Sequence, residues 1–224
     1  MTFQAPKEGY LFVITYGRSG STLLQNILLS INGYCIRGEN RNVLQSAFRS
    51  YFRAKHAKDV YGRRPKTIQR PWYGADLINP DGYASRLKEA FVEEILAPPA
   101  NARVVGFKEI RWQENIGEED FFSFLEFLQS FFSPCRFIFN SRNAEAVADS
   151  KWMQDNDRDE TIQNIKEYDN WYRAYTADNP HHSFHLYYDD YKSDVNALKP
   201  LFDFLGESFE QEKLQQIMDV KLDH

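Results

Sequence analysis

Cysteine is nearly absent from this chain. Cys35 and Cys135 are the only two in 224 residues; they form no C-x-x-C pair, and each sits in an apolar run. They are expected as reduced core thiols, which excludes a disulfide framework and a cysteine zinc site and fits a cytoplasmic setting. The five histidines and the acidic residues form no H-x-x-x-H pattern or carboxylate cluster, so no metal is expected. No apolar run approaches the roughly 20 residues of a membrane span. The first seventeen residues have no basic stretch followed by an apolar one, so neither a span nor a leader is expected. Positive charge is also in deficit. The formal net charge of -5 argues against general nucleic-acid binding. There is no internal repeat and no low-complexity tract.

What is present is core material. Hydrophobic residues make up 42% and aromatics 16%, enough to exclude a disordered chain. Short β-rich runs alternate with helical periodicity. Tyr10 to Tyr16 reads as a buried strand, followed by a small-residue turn and a helix with Leu23, Leu24, Ile27, Leu28 and Ile31 on one face. Further strands are predicted at Tyr34 to Ile36, Ala102 to Phe107, Cys135 to Phe139 and Ser183 to Tyr188. Helices are predicted at Phe121 to Phe132, from Asn143 or Ala144, over about Glu160 to Ala177, and as a closing pair split by Gly206. This alternation predicts an α/β three-layer sandwich around a central parallel sheet, with residues 1–224 as one domain.

The stretch from about 41 to 100 departs from the pattern and reads as an insertion. Residues 41 to 70 hold nine Lys or Arg against the single acid Asp59. The expectation is an insertion over the carboxyl edge of the sheet, where open α/β sheets bind ligands. There it would offer a basic field to an anionic substrate, with Trp72 and Tyr73 as candidate wall residues.

Two loops carry the chemistry. The first, Gly17-Arg18-Ser19-Gly20-Ser21-Thr22, joins a strand to a helix. Its small residues let backbone N–H groups converge on an anion, the helix N-terminus adds about half a positive charge, and Arg18 is a planar cation that does not titrate. It lacks the G-x-x-x-x-G-K-[ST] spacing of nucleoside triphosphatases, since Gly17 and Gly20 are too close and no Lys precedes Ser21-Thr22. The second is a strand end at Asn140-Ser141-Arg142, with Ser150 eight residues beyond the arginine in the expected helix. An arginine can hold a phosphate bidentately there.

Together these segments resemble the sulfotransferase superfamily that uses 3'-phosphoadenosine-5'-phosphosulfate (PAPS), of the bacterial and carbohydrate type. Gly106 to Trp112 and Tyr187 to Tyr191 are similar to segments of its bacterial members. The resemblance implies a P-loop NTPase-like fold and a metal-free transfer from PAPS to an acceptor alcohol, either a small molecule or a glycan. It implies that Gly17, Arg18, Ser19, Gly20, Ser21 and Thr22 bind the 5'-phosphosulfate, and that Arg142 and Ser150 bind the 3'-phosphate. Arg18 and Lys108 are the cations expected at the reacting group. Glu39, in a Gly-Glu segment like that of tyrosyl-protein and some carbohydrate members, is the expected base, with Glu109 and His56 as competitors. Two other readings remain open from the residues: a P-loop phosphotransferase with Asp189 as a metal carboxylate, and a non-catalytic anion-binding module.

Overall fold

The computed structural model describes residues 4–153 and 155–220; His224 lies outside them. In chain order the elements are β1 (Tyr10–Ile14), α1 (Ser21–Leu29), β2 (Tyr34–Arg37), α2 (Val43–His56), α3 (Pro80–Ala90), β3 (Val104–Glu109), α4 (Glu118–Phe131), β4 (Cys135–Ser141), α5 (Ala144–Ala148), α6 (Arg158–Asp178), β5 (Ser183–Tyr187), α7 (Tyr188–Tyr191), α8 (Lys199–Leu205) and α9 (Gln211–Met218). The strands form one sheet in the order β2-β3-β1-β4-β5, and every pairing is parallel.

The central strand explains the layering. All five residues of β1 are buried, as a strand covered on both faces requires. Side chains alternate across the sheet. Tyr10, Phe12 and Ile14 therefore enter an aromatic layer with α4 and α6, whereas Leu11 and Val13 enter an aliphatic layer with α1, α8 and α9. Sheet and flanking layers make the expected three-layer sandwich.

The insertion sits elsewhere than expected. Helix α2 buries Leu44, Gln45 and Phe48, and the Phe48 ring lies 5.0 Å from Phe124 and 5.3 Å from Phe127 on α4. Beyond α3, Phe91 meets Phe107 of β3 at 5.5 Å. Parts of α2 and residues 91–96 thus thicken one face of the sheet, and α2 also reaches the turn after β3, where Gln45 and Arg49 donate to the Glu114 and Asn115 carbonyls. The physical reason is periodicity: apolar residues recur down one side of α2, and the face available to cover them is the phenylalanine-rich side of α4. Trp72 stacks on Tyr61 at 3.8 Å, Tyr73 is exposed, and His56 meets the edge of Tyr61. Of the nine basic residues, only Lys55 forms an ion pair among the described residues, with Asp59.

Strands β2, β3 and β4 run slightly past their predicted limits, whereas β1 stops at Ile14, short of Tyr16, and β5 at Tyr187, short of Tyr188. β3 continues to Glu109, which places Lys108 inside the strand, and β4 continues to Ser141. The polar residues that looked like loop starts belong to the ladder, because neighbouring strands supply their backbone partners.

Candidate active site

The connection after β1 leaves on the aliphatic side and the connection after β4 on the aromatic side, so a crevice opens between them at the carboxyl ends of the strands. A cleft of about 540 Å³ lies there. Every strand contributes to its wall: Gly17, Arg18, Gly20, Ser21 and Thr22 after β1, Glu39 after β2, Lys108 and Ile110 at the end of β3, Arg142 after β4, and Tyr188 after β5. Leu23, Trp152, Met218 and Val220 complete it. Among the described residues, none between 41 and 100 lines the cleft. His56 therefore stands apart from it, as do Trp72 and Tyr73.

The first loop is curled by local backbone geometry. Arg18 has φ 63° and Gly20 has φ 80°, both left-handed. A Cβ at Gly20 would overlap the Tyr188 ring, and one at Gly17 would overlap the Trp152 indole. Glycine lets these two rings press directly on the loop. Gly20 is also the N-cap of α1 but offers no side-chain cap, and the first turn carries no acid. The opening amides of α1 are thus free to meet an anion.

Ser19 departs from its expected place. It is fully buried and absent from the cleft wall. The Thr15 hydroxyl donates to the Asn140 carbonyl at 2.6 Å, so the Ser19 hydroxyl is the donor to Thr15 Oγ1, also at 2.6 Å, and the Ser19 carbonyl accepts Asn140 Nδ2 at 2.8 Å. Asn140 Oδ1 in turn accepts the Tyr191 hydroxyl at 2.9 Å. Ser19 thus braces the loop from beneath, its buried hydroxyl satisfied by Thr15 and its backbone carbonyl by Asn140.

The second loop is clamped onto the first. Arg142 donates from its guanidinium to the Arg18 carbonyl at 2.8 Å and lies 5.1 Å from the Tyr188 ring centre. The Asn143 side chain caps α5 by accepting the Ala146 N–H at 2.8 Å. Helix α5 ends at Ala148, so Ser150 lies in the bend beyond it and not inside the helix, and it is not on the cleft wall. An Asp at the C-cap, followed directly by a new helical turn from Lys151, accounts for the early stop.

Three buried donors around this junction have no partner among the described residues: Arg18 Nε, Arg142 Nε and Ser150 Oγ. Orphaned buried donors are uncommon, and guanidinium nitrogens without acceptors suit anionic oxygens. Asp189 does not add a carboxylate to the cleft. Its oxygens accept the Asn143 N–H at 2.7 Å and Lys192 Nζ at 2.6 Å. Among the described residues no group of three His, Cys, Asp or Glu is placed to hold a metal ion.

Lys108 and Glu39 form a pair across the cleft mouth. Lys108 Nζ lies 2.5 Å from Glu39 Oε1. The lysine is almost fully buried and the glutamate about one-third exposed, so the carboxylate stands at the mouth with the ammonium behind it. Arg37, a possible competitor for Glu39, instead donates to the carbonyls of Leu96 and Ala97, both at 2.7 Å.

Glu109 is the neighbour of Lys108 but faces away. It is fully buried, and its two oxygens accept four backbone N–H groups: Asn40 at 3.1 Å, Asn42 at 2.8 Å, Ile110 at 2.9 Å and Arg111 at 3.2 Å. It ties the segment after Glu39 to the end of β3. Its acceptor capacity is used, so it is not available to take a substrate proton. Replacing Glu109 with Ala would strand those donors. It should lower unfolding free energy by about 3 kcal/mol in urea titration, at the upper end for a lost buried partner.

Sequence reasoning missed Tyr188, Trp152, Met218 and Val220. Tyr188 was legible in part, since the predicted strand Ser183 to Tyr188 ends on it; in the structure it opens α7. The others reach the cleft from distant turns and have no local signal.

A glycine-rich strand-to-helix turn, basic residues at several strand ends and a crevice at the topological switch define an α/β fold with a basic cleft at the carboxyl edge of its sheet. The sequence family agrees: the Sulfotransferase family model matches residues 11–211, and this chain belongs to that family. Comparison with curated proteins finds no match. Among solved structures, the chain is similar to the sulfotransferase domain of the Synechococcus PCC 7002 olefin synthase. Identity is 16% and TM-score 0.59, over 98% of this chain and 80% of that one. It is also similar to the sulfotransferase domain from the curacin biosynthetic pathway, with 15% identity and TM-score 0.55 over the same shares. At these identities the likeness speaks for the fold. No helix among the described residues is long and apolar enough to cross a membrane.

Proposed function

We propose that this chain moves a sulfuryl group from PAPS to an acceptor hydroxyl, with a carbohydrate as the preferred acceptor class. The observation that carries the reading is the junction of the two loops. Two arginines, each with a buried Nε that has no partner among the described residues, meet at one cleft, and the Arg142 guanidinium bonds the loop that carries Arg18. A nucleotide with anions at both its 5' and 3' positions fits this arrangement. The 5' group takes the amides of Gly20, Ser21 and Thr22 with Arg18, and the 3'-phosphate takes Arg142; the Ser150 hydroxyl, buried and without a partner among the described residues, is its second donor although it lies off the cleft wall. The Ser19 hydroxyl does not take part, though its backbone remains in the loop. Leu23, Met218 and Val220 offer an apolar wall to the base, and Trp152 and Tyr188 offer rings.

When bound, the donor supplies an activated sulfuryl group. Glu39 is placed to take the proton of an attacking hydroxyl, while the acceptor oxygen bonds to sulfur and the bond from sulfur to the bridging phosphate oxygen breaks. Lys108 and Arg18 offset the charge that develops on the transferring and leaving oxygens. Lys108 Nζ and Glu39 Oε1 are one hydrogen bond apart, which groups the base and one cation on the acceptor side of the reacting centre and leaves Arg18 for the leaving side. A polar mouth built from Glu39 and Lys108 favours a polyhydroxylated acceptor, small or polymeric, over a flat apolar one.

Calorimetry tests the reading. Adenosine 3',5'-bisphosphate should bind without magnesium and more tightly than ATP. Arg142→Glu should weaken it by roughly 100-fold, about 2.7 kcal/mol, because a buried attraction becomes a repulsion. Tighter binding of ATP with magnesium would instead favour a phosphotransferase.

A further inference from the structure

Beneath the two loops lies a buried polar chain that the proposed transfer does not use. Asp169, midway along α6, is 8% exposed. Its Oδ1 accepts the Tyr16 hydroxyl at 3.1 Å, and the Ser141 hydroxyl also bonds it. Tyr16 oxygen in turn accepts the backbone N–H of Arg142 at 2.9 Å. Tyr16 lies two residues before Arg18, and Ser141 directly precedes Arg142. One carboxylate on α6 therefore ties together the ends of two neighbouring central strands, just where both candidate anion-binding arginines leave them.

The direction of each bond matters. The single Tyr16 proton has two acceptors at 3.1 Å, Asp169 Oδ1 and the Arg142 carbonyl; the carboxylate is the stronger acceptor, so the proton goes to Asp169 and the Tyr16 oxygen accepts the Arg142 N–H. The Ser141 proton is likewise taken by Asp169, so His185 Nε2, 2.7 Å from Ser141 Oγ, must be the donor there. Ser141, His185 and Asp169 are not a nucleophilic triad. The carboxylate bonds the serine and not the imidazole, and Ser141 is fully buried. Burial raises the Asp169 pKa from its ordinary value, so the site bears a cost for keeping a carboxylate there. An apolar side chain would fill the same space without that cost. What the carboxylate adds is a fixed demand for two protons.

We propose that Asp169 is a positioning residue: by taking the Tyr16 and Ser141 protons it holds the Arg142 backbone on the Tyr16 oxygen, and so aims the Arg142 guanidinium at the 3'-phosphate. The proposal rests on the reading of the cleft as a PAPS site. The guanidinium is then steadied at its far end by the Arg18 carbonyl and the Tyr188 ring.

The test compares two nucleotides that differ only in the 3'-phosphate, adenosine 3',5'-bisphosphate and adenosine 5'-monophosphate, by calorimetry on the full chain. Wild type should favour the bisphosphate. Asp169→Ala should cut that preference roughly tenfold, about the effect of one hydrogen bond on an ionic contact, with monophosphate affinity retained. Asp169→Asn keeps an acceptor oxygen and should restore the preference to within about threefold of wild type. Tyr16→Phe cuts the same link with the ring left in place and should reproduce the Ala result if Asp169→Ala fails to fold. Equal weakening of both nucleotides would make Asp169 a structural residue only and overturn the proposal. So would no change, or tighter bisphosphate binding in both Asp169 variants, the result expected if the residue acted only as a negative charge near the phosphate. A wild-type chain that binds the two nucleotides alike would remove the PAPS reading, and this proposal with it.

Discussion

Glu39→Gln should lower turnover with PAPS and an acceptor about 100-fold, while adenosine 3',5'-bisphosphate binds as before. Glutamine preserves the size of the side chain and an oxygen for Lys108, so the pair at the cleft mouth keeps its geometry. What disappears is the capacity to accept a proton. Lys108→Ala should also cost turnover, by about 2.7–4 kcal/mol, as for other lost donors to a developing anion. The two residues touch, so their effects should not add. Once the base is gone, removal of the lysine should cost much less than it does alone. Single-turnover rates with saturating donor measure all three variants. Full turnover in Glu39→Gln would remove the carboxylate from the reaction. Fully additive losses would mean that Glu39 and Lys108 act at separate places.

Gly106→Ala should destabilise the whole chain strongly for a change of one methyl group. Gly106 pairs with Leu11 in the middle of the sheet, and a Cβ on it would fall on the Leu11 carbonyl oxygen. That atom is ladder backbone, held on both sides by neighbouring strands, so it cannot yield as the end of a side chain would. The expected loss is about 3 kcal/mol. For a chain of this size that corresponds to a fall in melting temperature of roughly 6–12 °C. Gly117→Ala is the control. No atom lies within 4 Å of a Cβ there and its φ is -88°, so the loss should stay below about 1 kcal/mol. Thermal melts of the two variants side by side separate a specific backbone contact from a general intolerance of alanine. A wild-type melting temperature in Gly106→Ala would mean that β1 and β3 are not paired in this register.

Much of the candidate site was legible as letters because its parts are local. A loop of small residues between a strand and a helix, and an arginine at a strand end, are set by backbone rules that act over a few positions. Glu39 and Lys108 were each visible in the same way, as polar residues at strand ends. Their partnership was not. They are 69 positions apart, and only the pairing of β2 with β3 brings their side chains together. Glu109 shows the opposite outcome. It has the same residue type and the same strand end as a plausible base, yet alternation along β3 turns it to the other side, where four backbone donors meet it.

By itself, then, the chain's order of residues determined the elements outside the 41–100 stretch, their parallel arrangement and the two loops, because periodicity, glycine and helix starts are short-range properties; α2 and α3 were not foreseen. Only the tertiary structure decided that α2 and residues 91–96 pack on a sheet face, that the Ser19 hydroxyl turns inward, and that Asp169 lies beneath both arginine loops. Those outcomes depend on which distant surface a buried side chain meets, and that is set by packing between elements, to which no spacing along the chain corresponds.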